Sequence, residues 1–311
     1  MNIVFLDAKT VGDVTNLEDL QKFGDTTFYQ TTSPDQTEER IKDVDIVITN
    51  KVVLDRELIE GAGNLKLICV AATGMNNIDR EAAKEAGIQV KNVSGYSTNS
   101  VAQTTFSMIL HLVQKVSQYD EFVKSGEYAK HDIFTNMDLS YSEIHGKQFG
   151  IIGLGNIGSK VAAIAEAFGA KVVYYSTSGR NLDQPYPHME LNELLKSSDF
   201  VSIHAPLNEN TEGLIGANEL ESMKETAYLI NTGRGGIVNE SDLAEALDKN
   251  EIAGAALDVF EEEPINADNP LLSINNKHKL VMTPHIAWAS IEARTELIEG
   301  VKENIEEFLG G

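Results

Sequence analysis

Along most of the chain, short continuous apolar runs alternate with stretches whose apolar residues recur every three or four positions. The runs are "NIVFLDA", "DIVITN", "KLICVAA" and "IQVKNV", then "FGIIG", "KVVYYS", "DFVSIHA", "AYLINTG", "AGAALDVF" and "LVMTPHI". A strand that is apolar on both faces is covered on both faces, which predicts a parallel sheet between layers of helix. Alternation with helical patterns predicts right-handed βαβ units. The series breaks once. From Ser97 to about Lys124 a single long helical pattern runs on, followed by the polar, irregular "SGEYAKHDIFTNMDLSYSEIHGK"; a new series opens at Gln148. The expected fold class is α/β, with two Rossmann-like, doubly wound parallel-sheet domains. The first covers residues 1–97 and the second residues 98–287, and the final helical pattern, "SIEARTELIEGVKENIEEFLGG", suits either.

Composition narrows the class. The 311 residues carry 25 basic and 48 acidic side chains, a net charge of −23. Nucleic acid requires a basic footprint and is not an expected partner. An anionic ligand would have to be drawn in by local donors, against the global field. No apolar run approaches the ~20 residues of a membrane span, and "MNIVFLDA" reads as a strand rather than a signal peptide, so no membrane role and a cytoplasmic location are expected. The single cysteine, Cys69, lies in the apolar "LKLICVAA" and reads as a buried hydrophobe in a reducing compartment. No metal is expected, since no cluster has metal-ligand spacing.

The first chemical motif is Gly153-Leu154-Gly155-Asn156-Ile157-Gly158, a G-x-G-x-x-G between a predicted strand and a predicted helix. The first glycine permits the turn, the second lets a pyrophosphate approach, and the third lets helix and strand pack closely. The helix N-terminus adds unpaired N–H groups and partial positive charge. In an NAD-binding unit the next strand usually ends in an acidic residue that grips the adenosine ribose. Here "KVVYYS" ends in Ser176, and Arg180 follows. The usual device for rejecting NADP is missing, and Arg180 either pairs with a 2′-phosphate or points to water. From this strand end alone, NAD or NADP is the expected cofactor, with NADPH accepted at least as well as NADH.

Three further segments put chemistry at strand ends, where open α/β sheets bind ligands. "LINTGRGGIVNE" places Arg234 after a strand, "ALDVFEEEP" supplies Asp258 and Glu263, and "VMTPHIAWAS" supplies His285. A guanidinium there can hold a carboxylate in two parallel bonds. Each residue alone has a bland reading as turn, solvated acid or structural histidine. Their joint placement downstream of a dinucleotide turn favours a catalytic set.

With "GIIGLGNIG", "DFVSIHAPLNENTEGLI", "INTGRGGIVNESDLAEAL", "GAALDVFEEEP" and "TPHIAWAS", the chain resembles the D-isomer-specific 2-hydroxyacid dehydrogenases over nearly its whole length. "NKVVLD", "VAATGMNNID" and "VAQTTF" resemble the glycerate dehydrogenase, or hydroxypyruvate reductase, branch. The resemblance implies a site in a cleft between two domains, a homodimer, and a first domain that takes in residues 288–311. It implies that His285 exchanges the proton, that Glu263 pairs with it, and that Arg234 binds the substrate carboxylate. It assigns Asn156, Ile157, Ala205, Pro206, Thr211, Thr232 and Asp258 to the cofactor, and Ala72, Thr73 and Gly74 to the substrate carboxylate. Lys51 either adds positive charge for the substrate or is solvated. Trp288 either narrows the pocket or packs.

Such residues suit reduction of a small 2-keto acid, because negative charge builds on the C2 oxygen and an imidazolium, favoured by a neighbouring carboxylate, relieves it. Hydroxypyruvate or glyoxylate is the expected substrate. D-lactate-type or 3-phosphoglycerate dehydrogenase activity remains open, although no regulatory C-terminal extension is seen. A dinucleotide-sensing, corepressor-like binding protein is the reading from another class.

Overall fold

A computed structural model describes residues 1–310. The chain divides into two compact units, Met1–Ser97 together with the segment from Trp288 onward, and Thr98–Ala287. Each is built on one all-parallel sheet.

In the first unit, β1 (Asn2–Phe5), β2 (Asp25–Phe28), β3 (Ile46–Thr49), β4 (Leu67–Val70) and β5 (Gln89–Asn92) pair in the order β2-β1-β3-β4-β5. Alternate side chains feed opposite faces, as strand geometry requires. Ile3, Phe5, Ile46, Ile48, Leu67 and Cys69 join one apolar cluster, while Val4, Val47, Ile68 and Val70 join another. The helices α1 (Pro34–Ile41), α2 (Arg56–Gly61) and α3 (Arg80–Glu85) supply Ile41, Ile59, Ala82 and Ala83 to the second face. The C-terminal helix, Ile291–Gly310, puts Leu297, Ile298, Val301 and Ile305 on the first. That spacing of three and four residues is an amphipathic stripe, and it settles where the final helical pattern belongs. Trp288 packs on the same cluster, edge-on to Tyr96 at 6.2 Å, which is the packing reading of that residue.

β2 had no counterpart among the apolar runs. It is an edge strand whose residues alternate between exposed and half-buried, so "DTTF" carries no continuous apolar signal.

In the second unit, β6 (Gln148–Ile152), β7 (Lys171–Tyr175), β8 (Phe200–Ile203), β9 (Tyr228–Asn231), β10 (Gly254–Leu257) and β11 (Leu280–Met282) pair in the order β11-β10-β9-β8-β6-β7. The helices are α4 (Thr98–Gln114), α5 (Val116–Lys124), α6 (Asn156–Ala167), α7 (Leu191–Ser197), α8 (Ala217–Ser222) and α9 (Glu240–Lys249). The single long helical pattern after Ser97 is therefore two helices. Lys115 breaks it in a left-handed conformation, φ 54°. α4 buries nine of its side chains, whereas α5 buries none, so only the first keeps a core-facing stripe.

Both sheets reverse their strand order next to the first strand, between β1 and β3 and between β6 and β8. The crevice outside the carboxyl ends of the strands at such a switch point is where open α/β sheets take ligands. Among the described residues, no helix is long and apolar enough to cross a membrane.

Two buried titratable groups make the packing testable. Cys69 is fully buried in β4, and desolvation pushes its thiol up to about 12. It is expected not to react with a thiol reagent in the native protein below that pH and to react stoichiometrically in urea; fast native labelling would contradict the burial. In the second unit, His204 follows β8. It keeps some exposed surface, but both ring nitrogens face inward, Nε2 to Ser202 Oγ at 2.9 Å and Nδ1 to Thr232 Oγ1 at 3.4 Å. Thr232 in turn meets Thr105 of α4 at 3.1 Å. Desolvation lowers the His204 pKa from 6.5 to about 3. Above 6.5 the ring is neutral folded and unfolded; below it only the unfolded chain takes up the proton. Stability is thus full above 6.5 and falls by up to about 1.4 kcal/mol per pH unit on acidification towards the folded value. Urea denaturation at about pH 7.5 and about pH 5 is expected to show a larger acid loss for wild type than for His204→Gln; equal losses would refute this.

Candidate active site

The second unit carries the glycine turn at its switch point. Gly153 leaves β6 with φ +90°, and a Cβ there would lie 2.9 Å from Ala205 N. A Cβ on Gly158 would lie 2.2 Å from Gly153 O. Both glycines are thus required by the close approach of turn, helix and neighbouring strand. Gly155 differs, since a Cβ on it would meet nothing within 4 Å. The space over Gly155 is open, and it lies at the N-terminus of α6, whose first turn has no side-chain cap. Asn156 and Ile157 begin that helix. Uncapped N–H groups beside an open glycine are a cradle for a pyrophosphate, and a dinucleotide fits this donor set.

The turn is tied to the end of β7. Gly153 N donates to Tyr175 O at 3.0 Å, and Asn181 Nδ2 donates to Leu154 O at 2.9 Å. A cavity of about 480 Å³ opens beside this junction, with Ser176, Thr177, Ser178, His188, Glu190 and Asn210 on its wall. Arg180 is exposed and is not on that wall.

The β8–β9 side of the site is built from inside. Ala205 is buried against the glycine turn. Thr211 is fully buried; its hydroxyl donates to Pro206 O at 2.7 Å and accepts from Asn208 N at 2.8 Å. It therefore sets the shape of the Pro206–Asn208 turn from behind. Thr232, also buried, is held by the His204–Thr105 network described above.

Arg234 follows β9 in a half-buried loop. Its Nη1 donates to Gly233 O at 2.8 Å, and its carbonyl accepts from Asn231 Nδ2 at 2.8 Å. The next residue docks this loop onto the acidic segment: a Cβ on Gly235 would lie 1.7 Å from Phe260 O. The Phe260 N–H donates to Glu263 Oε1 at 3.1 Å, and Glu263 Oε2 lies 2.6 Å from His285 Nδ1. A carboxylate only accepts, so Nδ1 carries the hydrogen and Nε2 is left to exchange a proton. Both side chains stay partly exposed, at 21% and 32%, so Nε2 can be reached by a ligand.

His285 itself sits in a left-handed conformation, φ 54°. Asp258 imposes it. The His285 N–H donates to Asp258 O at 2.8 Å. The Asp258 carboxylate accepts from Thr283 Oγ1 at 2.6 Å, from Ile286 N at 2.9 Å and from Ala287 N at 2.8 Å. Burial raises its pKa, and these donors oppose the rise. Asp258 thus sits under the histidine turn, with one acceptor position on Oδ2 unspent.

In the first unit, Ala72 O accepts from Val93 N, and Thr73 donates from Oγ1 to Val93 O at 3.1 Å and accepts at its carbonyl from Asn92 Nδ2 at 2.6 Å. Gly74 is half-buried beside them. Lys51 is exposed, and its backbone N–H donates to Asp7. Asp7 escaped the sequence reading. Its carboxylate is 4% exposed and accepts from Asn50, Lys51 and Val52 N–H at 2.9, 2.6 and 3.3 Å. Asn50 Nδ2 donates to Ala71 O at 2.6 Å, next to the Ala72–Gly74 loop. Glu240, likewise missed, is buried and accepts from Glu261 N at 2.7 Å, while its own N–H donates to Glu261 Oε1 at 3.1 Å. In sequence, both were ordinary acids in a chain rich in them.

Residues 106–287 match the family described as D-isomer specific 2-hydroxyacid dehydrogenase, NAD binding domain. A hydroxypyruvate reductase of Blautia hydrogenotrophica is 37% identical over 318 residues, which span 100% of this chain and 98% of that one. A glycerate dehydrogenase of Methylorubrum extorquens is 35% identical over 312 residues, 99% of this chain and 96% of that one. Among solved structures, an acyclic imino acid reductase in complex with NADPH and D-Arg superposes with a TM-score of 0.89 at 32% identity, covering 100% of this chain and 97% of the other. The chain belongs to the D-isomer-specific 2-hydroxyacid dehydrogenase family.

Proposed function

We propose that the protein reduces a small 2-keto acid, hydroxypyruvate or glyoxylate, to the 2-hydroxy acid, giving the D-isomer where C2 becomes chiral. The observation that carries this reading is the 2.6 Å Glu263–His285 pair, held on a fixed turn in the same unit as the open glycine cradle. The similarity to a hydroxypyruvate reductase and a glycerate dehydrogenase supports the choice of acid.

A bound reduced nicotinamide dinucleotide supplies the hydride. The remaining work falls to the side chains. Glu263 keeps the imidazole hydrogen on Nδ1 and stabilises the positive ring, so His285 donates from Nε2 to the C2 oxygen as charge builds there. Arg234 binds the substrate carboxylate through its guanidinium, a local cation in a chain of net charge −23. Lys51 and the backbone of Ala72, Thr73 and Gly74 contribute to the same carboxylate, a role that rests on the family resemblance. Asn156, Ile157 and the three glycines receive the pyrophosphate, and Ala205, Pro206, Thr211, Thr232 and Asp258 shape the remaining cofactor wall. The protein acts in the cytoplasm.

We also propose a homodimer. Between α5 and β6, Phe134 is 90% exposed and Met137 75%, with Ile133 and Tyr141 also exposed. Apolar surface of this kind asks for a partner, and a second copy of the chain, as the family implies, would cover it.

Kinetics and light scattering test these readings. Hydroxypyruvate and glyoxylate are expected to exceed pyruvate and 3-phosphohydroxypyruvate in kcat/KM, and His285→Ala to lower kcat by about 10²–10⁴-fold with dinucleotide affinity kept. Normal dinucleotide binding with no turnover of any of the four acids would favour a sensing protein instead. Light scattering is expected to give the mass of two chains, and Phe134→Glu with Met137→Glu to give one; a wild-type monomer would refute the dimer.

A further inference from the structure

The cavity beside the glycine turn lacks the acid that the end of β7 usually supplies, yet it holds a carboxylate. After β7 the chain returns and runs alongside it. Tyr174 pairs in parallel with His188, the Tyr174 N–H donates to Pro187 O at 3.0 Å, and the Met189 N–H donates to Tyr174 O at 2.8 Å. Two residues further along both segments come Ser176 and Glu190, and both line the cavity. Glu190 is exposed and Ser176 is buried, so the acid stands at the mouth and the hydroxyl behind it.

The cavity adjoins the phosphate turn through the Gly153–Tyr175 and Asn181–Leu154 bonds, and Tyr174 Oη pins Asn181 O at 2.9 Å. Pinning Asn181 fixes the segment that follows Ser178. Arg180 is left outside, where its backbone N–H reaches Ser178 Oγ and its side chain is exposed. The wall therefore offers hydroxyls, the Asn210 amide, the His188 imidazole, which stacks near Tyr175, and one carboxylate, Glu190, without the fixed charge of an arginine.

We propose that Glu190 takes the place of the missing strand-end acid and sets cofactor choice: its carboxylate accepts from the adenosine ribose 2′-hydroxyl and repels a 2′-phosphate, so NADH is preferred to NADPH. This rests on the dinucleotide reading of the glycine turn, and it reverses the expectation drawn from Ser176 and Arg180 alone. The serines can donate to a phosphate, but those are hydrogen bonds from neutral groups, whereas carboxylate and phosphate repel as full charges. A hydroxyl donating to a carboxylate is, conversely, a charge-assisted bond.

Fluorescence titration with NADH and with NADPH tests this without any substrate. Wild type is expected to bind NADH about tenfold or more tightly than NADPH, and Glu190→Gln to narrow that ratio by about tenfold, chiefly by tightening NADPH. Arg180→Ala is expected to change neither constant. Equal affinities in wild type, a ratio unmoved by Glu190→Gln, or a tenfold loss of NADPH binding in Arg180→Ala would each overturn the proposal. Because the readout is binding, it stands apart from the hydride reading. A chain that binds NADH and shows the Glu190 shift but reduces no 2-keto acid keeps this inference and loses that one, and a wild type that binds neither dinucleotide loses both.

Discussion

The buried carboxylate of Asp258 is the constraint on which the candidate site hangs. A histidine in a left-handed conformation costs free energy unless its surroundings over-determine it. Here three donors from residues 283–287 converge on one carboxylate, and the His285 N–H is captured by the same residue's carbonyl. The turn has no freedom left to swing the ring away from Glu263. Asp258 is itself at the end of β10, and Glu263 follows in the same segment, so imidazole, carboxylate and anchor are all fixed relative to one sheet edge. An imidazole on a mobile loop would have to be ordered by whatever it meets; this one is ordered by folding.

The same logic runs through the loops that support it. Gly235 lets the Arg234 loop touch Phe260, and the Phe260 N–H grips Glu263. Glu240 and Glu261 exchange backbone-to-carboxylate bonds and brace the acidic segment from α9. Each of these acids holds a backbone N–H group, and Glu263 also pairs with an imidazole. The carboxylates of Asp258, Glu240, Glu261 and Glu263 are each occupied by internal donors, so they act here as braces for the backbone.

How far the sequence revealed this follows from what each signal measures. Ten of the eleven strands were visible as apolar runs, the central ones because burial on both faces leaves few polar positions. β2 was not, because its four residues, DTTF, hold a single apolar side chain and none of them is buried. The break at Lys115 was invisible, since a left-handed residue leaves the apolar period of its flanks nearly intact. Gly153 and Gly158 were legible because their motif has a steric cause. Arg234, Glu263 and His285 stood out as polar residues at strand ends. Asp7, Glu190 and Glu240 did not, since their roles come from pairing between distant segments, and nothing local separates them from the other acids.

The two sheets share a strand order but not a fate. At the switch point of the second unit the chain leaves an uncapped helix end and an open glycine. At the switch point of the first, between β1 and β3, Asp7 already fills the place, with its carboxylate collecting the Asn50, Lys51 and Val52 N–H groups. An internal anion has taken the donors that an external one would need. The consequence is a division of labour: the strand order occurs twice in the chain, but at the first switch point a carboxylate of the chain itself occupies the N–H groups, and the open glycine and uncapped helix end stand at the second alone.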